Sequence, residues 1–136
     1  VLHFNPSRFR SKDPLRLTAA ELLEDLHLGA GALLTAVQAA RPAMRAGARV
    51  TVTGSVAADH PSHMACSLGA QKAALRNLVL SLDTTLAPEG IRATCVTVEG
   101  TLADEGPFSP DRVAEAIETA ATTPDDRWRA EVRYAG

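Results

Sequence analysis

The chain has 136 residues, of which 46% are hydrophobic and 22% charged, and its mean hydropathy is −0.02. These values are typical of one domain with one core, residues 1–136, and exclude a disordered segment. The formal net charge of −2, without any basic block, gives no electrostatic basis for binding nucleic acid. No apolar run is long enough to cross a membrane, and the two cysteines do not make a disulfide framework, so we expect a cytoplasmic protein.

Strand-like and helix-like segments alternate along the whole sequence. Apolar and β-branched runs predict strands at residues 1–5, 49–53, 91–98 and 128–134. Helical spacing predicts one long helix from 18 to about 40, bent or ended by Pro42, another from 62 to about 86, and a shorter one opened by Ser109-Pro110. This order predicts an α/β fold in which helices cover both faces of a parallel sheet.

The first long helix carries two informative local signals. Thr18 followed by Glu21 is the pattern of a capping box, which predicts the start of the helix. Gly29 and Gly31 lie inside the helix, where each costs about 1 kcal/mol of helical stability relative to alanine. We therefore expect another backbone to approach the helix closely at these two positions.

A polar corner is predicted where the second strand ends. Thr53-Gly54-Ser55 places a hydroxyl at the carboxyl end of the strand, and the following helix carries Lys72. Ligands of open α/β sheets bind in crevices outside the carboxyl ends of the strands. Only two of the 14 basic residues are lysines, which suggests that a compact ammonium is needed at position 72. Two plainer interpretations stay open: Ser55 as a turn residue and Lys72 as a solvated helix residue.

A second cluster of candidate ligands precedes the same helix. His60, His63 and Cys66 recur every third residue beside Asp59, and imidazole and thiolate are good ligands for zinc. The four groups would have to straddle a loop and a helix start, and their spacing is not that of a standard zinc finger. The sequence therefore predicts no metal site.

Four segments carry a resemblance to a known family. They are GALLTAVQAARPAM at 31–44, TVTGS at 51–55, KAALRNLVLSL at 72–82 and GIRATCVTVEG at 90–100. In this order and spacing they resemble the second half of the short-chain dehydrogenase/reductase family, from its fourth strand onward. The resemblance implies half of a doubly wound Rossmann-type parallel sheet, equivalent to the family's strands 4-5-6-7. It also implies that the first strand, at residues 1–5, has a bare edge.

The resemblance further implies a site and a cofactor. Ser55 and Lys72 match the family's catalytic serine and lysine, and the expected contacts with NAD or NADP fall on Asn5, Lys72, Gly100 and Thr101. The substrate would be a small carbonyl compound or alcohol. The family commonly forms homodimers or homotetramers, here through helices 18–46 and 62–87.

Several family positions are occupied by other residue types. The tyrosine that exchanges the proton is replaced by Leu68, and the asparagine that holds the relay water by Leu28. Glu99 replaces the proline of a Pro-Gly turn, and Asp104 falls near a threonine that touches the cofactor phosphate. These residues contain no glycine-rich dinucleotide turn. Two hypotheses follow: an NAD(P)-dependent oxidoreductase, and a non-catalytic module for cofactor sensing or dimerisation.

Overall fold

The computed structural model describes residues 1–136, and its four strands form one parallel sheet. The strands neighbour one another in chain order: β1 (Leu2–Phe4), β2 (Arg49–Ser55), β3 (Arg92–Val98) and β4 (Glu131–Tyr134). Helices connect each strand to the next, so the predicted α/β fold with a parallel sheet is confirmed. β1 and β4 are the edges, as expected for the first strand.

Helices α1 (Ala19–Leu26) and α2 (Ala32–Ala40) precede β2, α3 (Cys66–Leu86) precedes β3, and α4 (Pro110–Thr122) precedes β4. The capping box at the start of α1 is confirmed. The Thr18 hydroxyl accepts the Glu21 N–H at 3.2 Å, and the Glu21 carboxylate accepts the Thr18 N–H at 3.0 Å. None of the helices combines the length and hydropathy needed to cross a lipid bilayer.

A π-helical turn, His27–Gly31, joins α1 to α2 and interrupts the single helix that the sequence predicts. A Cβ at position 29 would lie 2.3 Å from Oε1 of Gln71 and 2.8 Å from its Cγ. A side chain, not a backbone, is thus what requires glycine there. At position 31 the nearest atom would be 3.6 Å away, so the prediction of close approach is wrong for Gly31.

The two faces of the sheet are covered by different helices. Val50, Val52 and Cys95 belong to the main core, which packs against Leu33 of α2 and Leu75 of α3. The alternate β3 positions, Val96 and Val98, are also buried and point to the opposite face, where α4 packs on β2 and β3. The predicted cover on both faces is therefore confirmed.

Two predicted boundaries are wrong by several residues. α3 begins at Cys66 instead of 62, because residues 62–65 form a turn closed by a bond from the Ala65 N–H to the Ser62 carbonyl. The last strand begins at Glu131 instead of 128, because Asp125–Arg127 form a short 3₁₀ turn. Trp128 follows this turn and is fixed by its indole N–H, which donates to Asp83 at 3.1 Å.

Candidate functional site

The carboxyl edge of the sheet brings most of the predicted site residues to one side of the molecule. Phe4 pairs with Val52 and Ser55 with Val98, so the ends of β1, β2 and β3 lie close together. Asn5 directly follows β1, and Gly100 and Thr101 lie two and three residues after the end of β3. Asn5 and Thr101 are exposed, and Gly100 is partly buried.

Ser55 ends β2 and begins a short 3₁₀ turn, Val56–Ala58. Its backbone is extended, with φ −153° and ψ 145°, and its Oγ accepts the Ala57 N–H at 3.2 Å. This bond is what the plain interpretation of a turn serine predicts. It uses an acceptor lone pair of the hydroxyl and leaves the O–H free to donate to a ligand.

Lys72 is buried, with 5% of its surface exposed, and is not the solvated helix residue of the plain interpretation. It reaches from α3 to β2, where Nζ donates to the Thr53 carbonyl at 2.8 Å, two residues before Ser55. Its partner is thus a neutral carbonyl and not a carboxylate. Burial lowers the pKa of the Lys72 ammonium below its ordinary value, and the nearby Cys95 thiol offsets this only in part. The structure therefore brings Ser55 and Lys72 to the same end of β2.

Two of the altered family positions hold partly buried leucines. Leu68 lies one turn before Lys72 on α3, and Leu28 lies in the π-helical turn. Neither side chain has a proton to give or a polar atom to hold water. The only tyrosine of the chain, Tyr134, ends β4, and its hydroxyl donates to the Pro107 carbonyl at 2.5 Å.

The segment after β3 folds back over Gly100. A Cβ at this position would lie 2.4 Å from the ring of Phe108, so only glycine fits beneath that ring. Phe108 also packs edge-on against Tyr134, with 5.8 Å between ring centroids. The tip of the segment exposes Asp104 and Glu105, which give this side of the edge a negative charge.

Buried polar contacts fix the loop between β1 and α1, and sequence reasoning missed them. The side-chain amide of Gln71 accepts the Arg8 N–H at 3.0 Å and donates to the Arg8 carbonyl at 2.9 Å. Arg10 donates to both carboxylate oxygens of Asp25, each at 3.0 Å. This hydrogen bonding holds the pKa of Asp25 below its ordinary value despite complete burial. Gln71 is the neighbour of Lys72 in sequence, which is the only signal that could have singled it out.

A network of charges ties the loop after Ser55 to the edge strand β4. Asp59 accepts from Arg76 at 2.7 Å and from Arg133 at 2.6 Å, and Arg133 also pairs with Glu99. The hydrogen bond from Arg133 lowers the pKa of Asp59. Asp59 is therefore engaged by two guanidinium groups. No group of three or more histidine, cysteine, aspartate or glutamate side chains is arranged to hold a metal ion, so the His60–His63–Cys66 spacing does not form a site.

A surface groove lies away from Lys72, between α4 and β4. It has a volume of about 570 Å³ and is lined by residues such as Arg112, Glu115, Thr119 and Val132. The groove is open, and its charged residues Arg112 and Glu115 pair with each other at 3.0 Å. We therefore place the candidate site at the carboxyl ends of β1–β3, where a buried cation is present, and not in this groove.

Comparison with known proteins settles the family. The family model described as enoyl-(acyl carrier protein) reductase matches residues 4–128, which is most of the chain. The chain belongs to the short-chain dehydrogenase/reductase family. The resemblance on which the sequence-based fold and cofactor predictions depend is thus confirmed. A search of curated proteins gave no match.

Solved structures of this family share the fold. Landomycin C-6 ketoreductase LanV, solved with NADP and rabelomycin, superposes with a TM-score of 0.80 at 22% identity, over 99% of this chain and 59% of that chain. Enoyl-[acyl-carrier-protein] reductase (NADH) from Aquifex aeolicus VF5 gives a TM-score of 0.81 at 15% identity, over 97% and 59%.

A third structure is a short chain oxidoreductase from Pseudomonas aeruginosa PAO1, bound to NADPH and described as containing an atypical catalytic center. It has a TM-score of 0.69 at 26% identity, over 85% of this chain and 44% of that chain. The present chain thus spans about three fifths or less of the length of these three relatives.

Proposed function

We propose that this short-chain dehydrogenase/reductase chain supplies the second half of a nicotinamide-dependent oxidoreductase domain that acts on a carbonyl compound or alcohol. The observation that carries the proposal is Lys72. An ammonium that is 5% exposed and has only a backbone carbonyl as partner is costly to bury, and packing gives no reason to keep it. A ligand at the carboxyl edge of the sheet gives such a reason.

The residues at this edge fit part of a nicotinamide dinucleotide. An ammonium has three N–H donors, and Thr53 accepts one of those of Lys72. One of the two remaining donors suits a hydroxyl of a ribose. Asn5, Gly100 and Thr101 stand at the ends of the strands on either side of β2 and would complete the contacts. When bound, the cofactor supplies hydride chemistry, while the protein supplies position and charge.

The cofactor is NAD or NADP, as the family implies, and LanV and the Pseudomonas oxidoreductase were solved with NADP and NADPH. Asp104 and Glu105 oppose any phosphate near the segment after β3. We therefore place the phosphates of the dinucleotide away from this segment. The chain's own residues would contact the nicotinamide ribose.

Leu68 favours a second candidate function, a non-catalytic module that senses the cofactor or supports dimerisation. A leucine cannot act as the general acid that accelerates such reactions by about 10²–10⁴-fold. In this alternative, Lys72 would bind ribose, and Ser55 would only stabilise the 3₁₀ turn that follows β2. The two candidates share cofactor binding and differ in turnover.

The test begins with titration of NADPH and NADH into the full-length protein by calorimetry, followed by a panel of carbonyl substrates with the absorbance of the reduced nicotinamide as the readout. We expect one dinucleotide to bind. We also expect at least one carbonyl compound to oxidise the reduced dinucleotide slowly. Absence of binding for both dinucleotides would defeat the proposal. Binding without any turnover would favour the non-catalytic module.

Leu68→Tyr is the informative variant, because it places a phenol one turn before Lys72. We expect it to raise kcat, since it supplies a dedicated proton donor. Leu15→Tyr is the matched control: Leu15 is 98% exposed on the loop before α1, and a phenol there should leave kcat unchanged.

A further inference from the structure

We propose that Lys72 Nζ is itself the proton donor to the substrate oxygen in this protein, in place of a side chain at position 68. The inference rests on the proposed function and assigns to one atom a role beyond binding ribose. It is carried by the position of the buried ammonium and by the contacts that engage the charged groups around the end of β2.

Asp59, Glu99 and Glu131 are committed to ion pairs. Asp59 accepts from two arginines, and Glu131 accepts from Arg76 at 2.8 Å and from the Thr97 hydroxyl at 3.0 Å. Glu99 pairs with Arg133. A carboxylate held ionised by a guanidinium has no proton to donate at neutral pH.

The basic partners of these acids cannot donate either. Their ion pairs raise the pKa of Arg76 and of Arg133, and a guanidinium is not deprotonated in proteins. These charges therefore hold the loop after Ser55 in place and leave the proton transfer to another group.

Three further groups lie near β2 and can also be set aside. His3 contacts the Thr51 hydroxyl at 2.8 Å through Nδ1 and the Thr53 hydroxyl at 3.3 Å through Nε2, and burial lowers its pKa, so it is neutral near pH 7. Cys95 is fully buried, and desolvation raises the pKa of its thiol. The thiol of Cys66 already contacts the Lys12 carbonyl at 3.5 Å.

Lys72 is the buried titratable group beside the end of β2 that has no charged partner, whereas His60 and His63 of the loop after Ser55 are exposed. On α1, Asp25 is paired with Arg10. On β3, Cys95 is the titratable neighbour whose charge acts on Lys72. The ammonium donates to the carbonyl of Thr53, two residues before Ser55 on β2, and we place a substrate oxygen held by the free O–H of Ser55 beside Nζ.

The proton and electron balance is simple. When bound, the nicotinamide dinucleotide of the proposed function would supply the hydride for the carbonyl carbon, and the C=O electron pair would move to oxygen. An N–H bond of Lys72 breaks, an O–H bond forms on the substrate, and the nitrogen keeps the electron pair as a neutral amine. A proton from solvent restores the ammonium. Burial assists this cycle, because a donor works best when its pKa lies near the working pH.

Two lysine variants test the assignment. Lys72→Arg keeps a cation that can bind hydroxyls but cannot release a proton, and Lys72→Met removes both properties. We expect Lys72→Arg to bind the dinucleotide within a few-fold of the parent and to lose about 10²–10⁴-fold in kcat. Adding Leu68→Tyr to Lys72→Arg should restore part of that loss, because the phenol is an independent donor. A Lys72→Arg protein that binds cofactor and turns over like the parent would overturn the inference while leaving the proposed function intact.

A second measurement does not depend on turnover. Lys12 and Lys72 are the only lysines, so Lys12→Arg leaves a single lysine whose ¹³Cε resonance can be followed by NMR after labelling with [¹³C]lysine. Lys12 contacts Glu21 and lies outside the site, which makes this variant a suitable background. We expect Lys72 to titrate below the ordinary value of about 10.4, and the alkaline limb of the kcat profile to follow the same pKa. Titration at or above the ordinary value would overturn the inference even if no substrate were found.

Discussion

At the scale of single residues, Gln71 has the most demanding environment. Its amide binds both backbone groups of Arg8 and leaves no room for a Cβ at Gly29, so three segments of the chain meet at one buried side chain. Gln71 itself has no measurable exposure. Glycine at position 29 thus makes room for the Gln71 side chain, which anchors the loop after β1 beside Lys72.

Gly29 and Gly31, two glycines of the π-helical turn, allow a matched prediction. Gly29→Ala should lower the free energy of unfolding by about 1–3 kcal/mol, because the new methyl group must displace Gln71. Gly31→Ala should raise it by up to about 1 kcal/mol, because alanine favours the helix and the site has room. Urea denaturation of both variants checks this. Equal effects of the two substitutions would show that the Gln71 contact is not what requires glycine.

At the scale of elements, one charged cluster joins the carboxyl half of α3 to the start of β3 and to the turn before β4. Asp83 accepts two bonds from Arg92, at 2.9 and 2.8 Å, one from the Ala93 N–H at 2.8 Å and one from the Trp128 indole. The guanidinium groups of Arg49 and Arg92 lie over the Trp128 ring, at 4.9 and 5.3 Å from its centroid. The cluster fixes the position of α3 along the strands, and therefore also that of Lys72.

Asp83→Ala should therefore destabilise the protein by about 3 kcal/mol, because it leaves buried donors without an acceptor. Asp125→Ala is the control: its pair with Arg49 is partly exposed, and its loss should cost less than about 1 kcal/mol. Burial alone would raise the pKa of Asp83, but its hydrogen bonds from Arg92, Ala93 and Trp128 bring the pKa below its ordinary value.

The sign of the pH dependence follows from that lowered pKa. A carboxyl whose pKa is lower in the folded than in the unfolded chain contributes its full stability above the unfolded value of about 3.9, and loses it as the pH falls through the folded value. The difference in unfolding free energy between the parent and Asp83→Ala should thus be constant near neutral pH and shrink below about pH 4. A difference that grows on acidification would contradict this account.

Local sequence patterns predicted the helices and strands. They did not predict the buried polar contacts, which join residues distant in sequence. The Thr18–Glu21 cap, the β-branched run before Ser55 and the alternation of strands and helices are short-range patterns, and each is confirmed. Asp25 and Arg10 are 15 positions apart, and Gln71 and Arg8 are 63 apart, so nothing in their own neighbourhoods identifies them as partners. Ser55 and Lys72 were predicted through family spacing, but the burial of Lys72 depends on packing between α3 and β2.

At the scale of the whole molecule, β1 and the long helices leave surfaces that a larger assembly could cover. β1 is three residues long and has a partner strand on one side only. Leu23, Leu34 and Leu80 remain exposed on α1, α2 and α3, by 66, 38 and 36%. Gly69 of α3 does not offer space to a partner helix, because a Cβ at this position would lie 3.0 Å from the Ala57 carbonyl oxygen of the same chain.

We predict a homodimer through the helices that contain Leu23, Leu34 and Leu80. Leu23→Glu and Leu34→Glu should each weaken association by about 10–100-fold, since each removes a leucine that a partner would bury. Light scattering coupled to gel filtration over a range of concentrations measures this. Leu15→Glu, on the loop before α1, should leave the molar mass unchanged. A parent protein that stays monomeric at high concentration would refute the interface.

The π-helical turn also has a consequence for the length of the first helical layer. A π turn contains one residue more than an α turn would, so His27–Gly31 marks where that layer can absorb a change of one residue. Deleting one residue there would leave α2 seated on the sheet but rotate α1 by about 100° about its axis. Asp25 would then turn away from Arg10, and the loop after β1 would lose its anchor. The position of the loop after β1, which forms one wall of the site, therefore depends on the number of residues in the π-helical turn. A sequence alignment that omits the extra residue would misplace this loop.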